Sequence, residues 1–464
     1  MATELHFDRH MSDTEALMWR LEKDPYLSST FASVTVCDRP IDVARLRRRM
    51  EHAVMQTRRL RQRVQPAPGG IGTPTWVDDP DFEIGFHVRR IALPKPGTPE
   101  QLTQLATLIA ADPFDRTRPL WQFVVVDGLR GRKGALIQKM HHTVVDGEAG
   151  VRLSLAFLDL DRDAPGPAVD NSRTMADGDE GAPINDPAAA LRDVVTSSMR
   201  LPLAVARQMR DMLADPARIP TAGQAALGTV RSVVTQLSET DKARSPLWTR
   251  RSLRRHFETM RIPLDEVKTA AKALGGTVNT AFITAAAAAA GEYHRELGSP
   301  VDELRASMAI STRSASSGSN AFTLARLLVP TGKMPVDERF AAIAAAIGTA
   351  RGTSRTASMD TLASMTAAMP TSLLTRLARQ QGETVDFATS NVRGAPVRLF
   401  LAGAEVESTY ALGPLGGVAF NLTVLSYAGS LDLGLNIDAA AVSEPELLAR
   451  CMRGAFSDLV AING

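Results

Sequence analysis

The feature that most constrains this chain is a short apolar segment that ends in two adjacent histidines. Residues 134–140, Gly-Ala-Leu-Ile-Gln-Lys-Met, are mostly apolar and follow a cluster of turn formers, which predicts a buried strand. His141 and His142 stand at the end of that strand, and Asp146 and Gly147 follow after three further residues. Strand ends often carry chemistry, because the sheet holds the backbone rigid while the side chain faces a cleft. The sequence therefore predicts a functional site here.

We assign different roles to the residues of this stretch. His142 is our candidate general base, because a neutral imidazole can take a proton from an attacking hydroxyl and typically contributes ~10²–10⁴-fold in rate. His141 is expected to shape the pocket or to set the tautomer of its neighbour. Asp146 is expected to be a buried carboxylate that needs a cationic partner, for which we favour Arg313. Gly147 leaves space for a positive φ or for a substrate close to the backbone.

The same residues allow a rival interpretation, a zinc site formed by His141, His142 and Asp146. Adjacent residues on a strand point to opposite faces, so two neighbouring histidines rarely share one metal ion. No nearby cysteine or Glu-xx-His spacing completes such a site. We therefore predict no metal site. A hydrogen-bonded core histidine is the structural alternative for His142.

Composition and charge exclude several classes of protein. The 464 residues exceed one ordinary domain and predict two or three units. A formal net charge of +2 argues against a nucleic-acid binder. Only Cys37 and Cys451 are present, which gives neither a metal cluster nor a disulfide framework. We find no signal peptide and no apolar run long enough to span a membrane, and residues 282–291 predict a close-packed core helix. We expect a cytoplasmic protein.

The order of the predicted elements indicates an α/β protein in two halves. Strands alternate with helices in an N-terminal half at 1–162 and again in a C-terminal half at 252–464, with a linker and helical connector at 163–251. Within the connector, residues 187–238 interleave arginines with apolar residues. Such a surface can bind an anionic membrane or a lipid inclusion. We favour the alternative, a solvated helix face that covers the seam between the halves.

Five segments together carry a resemblance to a known family. The pattern from His141 to Gly147 resembles the HHxxxDG motif of the CoA-dependent acyltransferase superfamily, which includes chloramphenicol acetyltransferase, peptide-synthetase condensation domains and the bacterial wax ester synthase/diacylglycerol acyltransferase family. Four other segments resemble motifs of the last family, in that family's order along nearly the whole chain: PFDRTRPLW at 113–121, GGTVN at 275–279, SNVRG at 390–394 and SYAG at 426–429.

Two residues depart from the pattern of this family. Thr280 stands where the family usually has aspartate, and Arg393 stands where it usually has proline. The first departure removes any role of that aspartate, and the second changes a turn that can border the acceptor pocket. We also find no block like the DFGWG segment of the condensation and acetyltransferase relatives.

The resemblance implies a fold and a reaction. It implies two chloramphenicol-acetyltransferase-like halves, each a mixed sheet packed with helices, with an active-site tunnel between them. The second histidine, His142, would act as the base. The acyl group would pass from acyl-CoA, a co-substrate used without any cofactor, to the hydroxyl of diacylglycerol or of a long-chain alcohol, without a covalent acyl-enzyme. The product would be triacylglycerol from diacylglycerol and a wax ester from the alcohol. Peripheral contact with the inner membrane or a lipid inclusion would supply the lipid.

Four residues outside the histidine stretch are candidates for contacts with substrate. The amide of Asn279 can donate to the thioester carbonyl or to the developing oxyanion, a contact that commonly matters by ~10²-fold or more. Its alternative role is a helix N-cap. Trp121, Ser390 and Asn391 can line a substrate channel. Their alternatives are a core tryptophan and ordinary turn chemistry.

Two alternative functions remain open at this point. The first is an ester- or amide-forming enzyme of the same superfamily that takes its acyl group from a carrier protein; we expect no attached carrier domain. The second is a catalytically silent protein that binds lipid inclusions. The intact His142, Asp146 and Gly147 argue against a silent protein, whereas Thr280 and Arg393 keep it open.

Overall fold

The computed structural model describes residues 9–67, 73–145, 153, 156–165, 243–311, 322–353, 363 and 371–463. Three predicted site residues, Asp146, Gly147 and Arg313, lie outside the described residues. The same holds for the predicted helices at 187–238 and for most of the predicted linker.

Seven strands form a first, mixed sheet in the order β4-β5-β6-β1-β13-β12-β7. β4 runs parallel to β5, and every other neighbouring pair is antiparallel. Numbered along the chain, these strands are β1 Thr30–Cys37, β4 Val88–Ala92, β5 Trp121–Leu129, β6 Lys133–His141, β7 Leu158–Asp159, β12 Phe400–Leu401 and β13 Ala404–Leu412. A separate ribbon pairs β2 Gln62–Gln65 with β3 Thr75–Asp78.

Six strands form a second sheet in the order β10-β9-β11-β14-β15-β8. β11 runs parallel to both of its neighbours, and the remaining pairs are antiparallel. These strands are β8 Arg255–Pro263, β9 Glu303–Ser311, β10 Phe322–Pro330, β11 Phe387–Arg393, β14 Phe420–Tyr427 and β15 Ser430–Asp438.

Helices begin where the sequence supplies caps. The side chain of Ser12 caps the first helix and that of Thr98 caps the fourth, each in a reciprocal capping box with the residue three positions on. The described helices are α1 Asp13–Leu21, α2 Val43–Gln56, α3 Ile84–His87, α4 Pro99–Ala111, α5 Leu264–Ala273, α6 Val278–Glu296, α7 Val336–Thr353, α8 Thr371–Gly382 and α9 Pro445–Val460.

Each sheet builds its own hydrophobic core. α2 buries Leu46, Met50 and Ala53 completely against one face of the first sheet, as its apolar stripe predicted. α4 covers the opposite face of that sheet. α6 packs with α9 against the second sheet, and the alanine-rich stretch at 282–291 is a core helix as predicted. Gly291 is required there, because a Cβ atom would lie 2.0 Å from the carbonyl oxygen of Thr331.

β13 connects the two sheets. It is hydrogen-bonded to β1 in the first sheet. It also lies against β15 of the second sheet. The N–H of Thr409 donates to the buried carboxylate of Asp432 over 2.8 Å. A Cβ atom on Gly434 would lie 2.0 Å from the carbonyl oxygen of Ala411, so the two strands are in direct backbone contact. Sheet membership therefore does not follow a division of the chain at residue 252.

Several predicted elements differ from those observed. The apolar pattern of residues 82–91 predicts a strand, but these residues form the short helix α3 followed by β4. The pattern of residues 149–160 predicts a helix, but its end is strand β7. Asn391 lies within β11 rather than in a turn, because the segment pairs with β14 along its whole length. The sequence analysis did not predict β2, β3, β11, β12 or β13. These segments are short or rich in polar residues, so pairing rather than local propensity makes them strands.

None of the described helices is by itself long and apolar enough to cross a membrane. α5 and α6 pass the same test of length and composition when taken together, with a bend of 93° between them.

The contact between β13 and β15 makes a prediction about two glycines. We expect Gly434→Ala to lower the free energy of unfolding by about 2–3 kcal/mol, because the added methyl group collides with backbone. Gly454→Ala is the matched control: it lies on an exposed position of α9 where a Cβ meets nothing within 4 Å. This control should raise the free energy of unfolding by about 0.5–1 kcal/mol. Urea unfolding of both variants measures the difference, and equal stabilities would contradict the close approach.

Candidate active site

His142 follows the last residue of β6 and is fixed by contacts with the start of β1. Its backbone N–H donates to the carbonyl oxygen of Ser29 over 3.1 Å. Its ring lies against that of Phe31, with 4.6 Å between ring centroids. Burial, with a smaller contribution from the neighbouring His141, lowers the pKa of His142 to about 4, although the carboxylate of Glu22 opposes the change. The imidazole is therefore neutral at ordinary pH, which is the form that a general base requires.

His141 is buried and makes hydrogen bonds through both ring nitrogens. Nδ1 accepts the backbone N–H of Thr143 over 3.2 Å and lies 2.8 Å from the hydroxyl of that residue. Nε2 lies 3.0 Å from a carboxylate oxygen of Glu22. Since Nδ1 accepts a backbone N–H, the proton of the neutral ring is on Nε2, which donates to Glu22. His141 therefore has one defined tautomer.

Glu22 was not among the predicted site residues, although it joins four groups of this site. Besides His141, its carboxylate accepts the hydroxyl of Ser28 and the backbone N–H of Ser29, each over 2.7 Å, and the hydroxyl of Thr30 over 3.3 Å. Burial raises the pKa of Glu22, but the hydrogen bonds from His141, Ser28 and Ser29 outweigh burial and hold the pKa at about 2. Glu22 is therefore ionised at ordinary pH.

The two histidines use opposite faces of the sheet. Residues directly opposite each other on antiparallel strands share a face, and His141 lies opposite Thr30, whose hydroxyl also bonds Glu22. Phe31, which packs on the ring of His142, points to the other face. Both ring nitrogens of His141 are already engaged. This arrangement disfavours a shared metal ion, and no cluster of metal-ligating side chains occurs among the residues that the structure describes.

The segment 113–121 is tied to β6 by a buried lysine. Lys139, 2% exposed, donates to the carbonyl oxygen of Asp112 over 2.5 Å, and its ammonium lies 4.3 Å from the ring centroid of Phe114. Burial lowers the pKa of Lys139 to about 8. Arg116 stacks on Trp19 of α1 at 3.5 Å and donates to its carbonyl oxygen. The motif segment thus holds the end of α4 and the end of α1 near the histidine strand.

Trp121 is a core residue. It is 1% exposed, and its indole N–H donates to the carbonyl oxygen of Leu60 over 2.7 Å. Its ring stacks on His87 with 4.5 Å between centroids. These contacts favour the structural alternative for Trp121, and a contact with substrate remains a prediction.

Asn279 and Asn391 lie together at the second sheet. The amide of Asn391 donates to the side-chain oxygen of Asn279 over 3.2 Å, and the amide of Asn279 donates to the sulfur of Met308 over 3.2 Å. Asn279 is not the N-cap of α6, because the side chain of Thr277 occupies that position and accepts the N–H of Thr280. The side chain of Asn279 is therefore available for a role other than capping.

Two other motif segments also meet at the second sheet. Ser390 lies in β11, half-buried, and pairs with Thr423 of β14. Arg393 ends β11 opposite Ser426, and the N–H of Gly394 donates to the hydroxyl of Ser426 over 3.2 Å. A Cβ atom on Gly394 would lie 2.3 Å from the carbonyl oxygen of Ser426, which explains the glycine. Segments 390–394 and 426–429 therefore form one substructure.

A cavity of about 780 Å³ lies between the two sheets, but at the other end of β6 from the histidines. Its lining includes Lys133 at the start of β6, Arg130 before it, and Arg261 of β8. At ~3.3 Å per residue, the nine residues of β6 separate its two ends by about 26 Å. This cavity is therefore not the immediate surroundings of His142, and a tunnel that reaches His142 remains a prediction.

Comparison with solved structures shows which folds this chain resembles. It is similar to the wax ester synthase/diacylglycerol acyltransferase from Marinobacter aquaeolei VT8, with a TM-score of 0.66 over 97% of this chain and 98% of that chain, at 22% identity. It is also similar to the first condensation domain of the calcium-dependent antibiotic synthetase, with a TM-score of 0.59 over 98% and 96% of the two chains, at 14% identity. These likenesses confirm the predicted α/β fold of two acyltransferase-like halves.

Comparison with protein families and curated proteins identifies the chain's relatives. A protein of Mycobacterium tuberculosis, provisionally named a diacylglycerol O-acyltransferase, is 30% identical over 98% of this chain and 92% of its own. Residues 11–282 match the wax ester synthase/diacylglycerol acyltransferase catalytic domain, and residues 318–460 match the C-terminal domain of the same family. Both domains of this family are present, and the relative aligns along nearly the whole chain. The chain therefore belongs to the wax ester synthase/diacylglycerol acyltransferase family.

Proposed function

We propose that this protein transfers a long-chain acyl group from acyl-CoA to the hydroxyl of diacylglycerol or of a long-chain alcohol, with His142 as the general base. The observation that carries the proposal is the state of His142, a neutral imidazole fixed at a strand end beside a neighbour with one defined tautomer. The relative that is named a diacylglycerol O-acyltransferase favours diacylglycerol as acceptor.

In the proposed reaction the acceptor oxygen attacks the thioester while His142 takes its proton. The thioester carbonyl becomes a tetrahedral oxyanion, which collapses as the carbon–sulfur bond breaks, and the proton passes from His142 to the leaving CoA thiolate. The ester forms without an acyl-enzyme. Removal of the proton by a positioned base typically contributes ~10²–10⁴-fold in rate.

We assign supporting roles to three other residues. Asn279 is the proposed donor to the oxyanion, because its amide lies at the start of α6 and is not used as a cap. Asp146 and Arg313 are proposed to form an ion pair that holds the loop after the histidines, although both lie outside the described residues. Ser390 and Asn391 are proposed contacts of the acceptor, and Asn391 orients Asn279 through their hydrogen bond.

The substrates of the proposed reaction are acyl-CoA and a lipid acceptor. Acyl-CoA acts as co-substrate and no further cofactor is invoked. Long acyl chains have low solubility in water, so we propose peripheral contact with a membrane or a lipid inclusion.

Acceptor-dependent release of CoA tests both the transferase activity and its base. With palmitoyl-CoA and either dioleoylglycerol or hexadecanol, the parent protein should release CoA only when an acceptor is present. His142→Ala should lower this release by about 10²–10⁴-fold, because no group remains to take the hydroxyl proton. His52→Ala in α2 is the control and should behave as the parent. Release without an acceptor requirement, or an unaffected His142→Ala protein, would contradict the assignment. Activity that appears only with acyl-carrier protein would establish the carrier-dependent alternative.

The pKa of His142 predicts the acid limb of the pH profile. The base works when neutral, so kcat/KM should stay level as pH falls from 8 and should decline only near the lowered pKa of His142, at about 4. An unperturbed histidine would lose activity near pH 6.5. Chromatographic measurement of ester formation between pH 4.5 and 8, on protein shown to be folded at each pH, decides between the two. A decline of kcat/KM with its midpoint near pH 6.5 would show that the base is not desolvated.

The variant Trp121→Phe separates the two roles considered for Trp121. Trp121→Phe removes the indole N–H and leaves the carbonyl oxygen of Leu60 without that donor, which should lower the free energy of unfolding by about 1–3 kcal/mol. The KM for palmitoyl-CoA and for the acceptor should stay within about twofold of the parent values. Urea unfolding and steady-state kinetics measure both quantities. A raised KM with unchanged stability would instead place the indole against substrate.

A further inference from the structure

One carboxylate, that of Glu22, connects the histidine strand with the segment facing it. Glu22 follows α1 and lies 119 residues before His141 in the chain. Its oxygen Oε2 receives two donors, Nε2 of His141 at 3.0 Å and the backbone N–H of Ser29 at 2.7 Å. Its oxygen Oε1 receives the hydroxyls of Ser28 and Thr30. The side chain is 15% exposed, so these bonds compete with little water.

These bonds fix the residue that precedes the base. The backbone N–H of Thr143 donates to Nδ1 of His141, so the ring proton is on Nε2 and points at Glu22. An acceptor oxygen at this place keeps the tautomer and the ring orientation, because the other tautomer would set the lone pair of Nε2 against that oxygen and a flipped ring would put carbon there instead of Nε2. His141 is thereby held in one orientation, which limits the movement of the backbone that it shares with His142.

The same carboxylate also holds the backbone opposite the base. Ser29 donates its N–H to Glu22, and its carbonyl oxygen accepts the N–H of His142 over 3.1 Å. Phe31, two residues further along, packs on the ring of His142. Displacing Glu22 therefore releases both the neighbour of the base and the segment against which it rests.

We propose that Glu22 is a positioning residue for the His142 base, which it orients through His141 and through the Ser28–Thr30 segment. The inference rests on the function proposed above, since it assumes that His142 is the base. Glu22 acts through the place of its oxygens and does not itself touch the reacting atoms.

Two conservative variants separate the position of the oxygens from their charge. Glu22→Gln keeps the length of the side chain; its amide oxygen can accept from His141 and Ser29, and its amide nitrogen can donate to the two hydroxyls. Glu22→Asp keeps the charge but is one methylene shorter and draws the oxygens away from His141. Glu15→Asp is the matched control, because it shortens another buried carboxylate of the same chain segment, which caps α1.

The measured quantities are kcat, KM and the tautomer of His141. We expect Glu22→Asp to lower kcat by roughly 10–100-fold with KM within about threefold, since a displacement of about 1 Å at a reacting group costs this much. Glu22→Gln should stay within about fivefold of the parent kcat, and Glu15→Asp should match the parent. In ¹⁵N spectra of histidine-labelled protein, the ring nitrogens of His141 should report one tautomer in the parent and in Glu22→Gln, but a mixture in Glu22→Asp. The resonance that is missing in His141→Gln assigns the signals.

Each other outcome overturns the proposal. An active Glu22→Asp protein with the parent spectrum would show that the place of the oxygens does not matter, and loss of activity in Glu22→Gln but not in Glu22→Asp would show that Glu22 acts by charge. The parent and His142→Ala proteins, measured in the same assay, distinguish this failure from failure of the proposed function. If the parent shows no acceptor-dependent release, or if His142→Ala retains it, the function or the base is wrong; the spectra still report whether Glu22 sets the tautomer of His141.

Discussion

The double attachment of strand β13 is the constraint on which the arrangement of the two sheets depends. β13 belongs to the first sheet by its hydrogen bonds with β1 and to the second by its contact with β15. The buried carboxylate of Asp432 accepts a backbone N–H of this strand and the guanidinium of Arg261 lies 3.2 Å away, so the charge is compensated within the contact. Because Gly434 has no side chain, the strands approach until backbone meets backbone. The two sheets therefore cannot shift relative to each other without breaking paired groups.

The same principle, a buried charge whose partners come from distant parts of the chain, organises the active site of this acyltransferase. Glu22 joins the end of α1, the start of β1 and the histidine strand, and Lys139 joins that strand to the end of α4. Both charged groups are shielded from water, so each lost partner leaves an expensive unpaired group. Rigid surroundings of this kind can keep His142 neutral and correctly oriented.

Most of the fold could be predicted from periodicity and caps, whereas its polar strands could not. The buried face of α2 and the core position of α6 agree with their apolar patterns, which depend on local spacing. β11 was missed because its sequence, Phe-Ala-Thr-Ser-Asn-Val-Arg, carries turn-forming residues, and only pairing on both sides makes it a strand. Likewise, spacing pointed to His142, but nothing near Glu22 in the sequence marks it as a partner of His141.

By itself, the sequence determined the alternation of strands and helices, the strand that carries the histidines, and the family motifs, because each depends on residues close together in the chain. Tertiary structure alone decided that β13 joins the first sheet, that Trp121 is held by Leu60, that Asn279 meets Asn391, and that Glu22 holds His141. The physical reason is that hydrogen bonds and desolvation act through space. Glu22 and His141 lie 119 residues apart, and Thr35 and Thr409 lie 374 residues apart. Such groups become neighbours only when the sheets assemble, so no local pattern can record them.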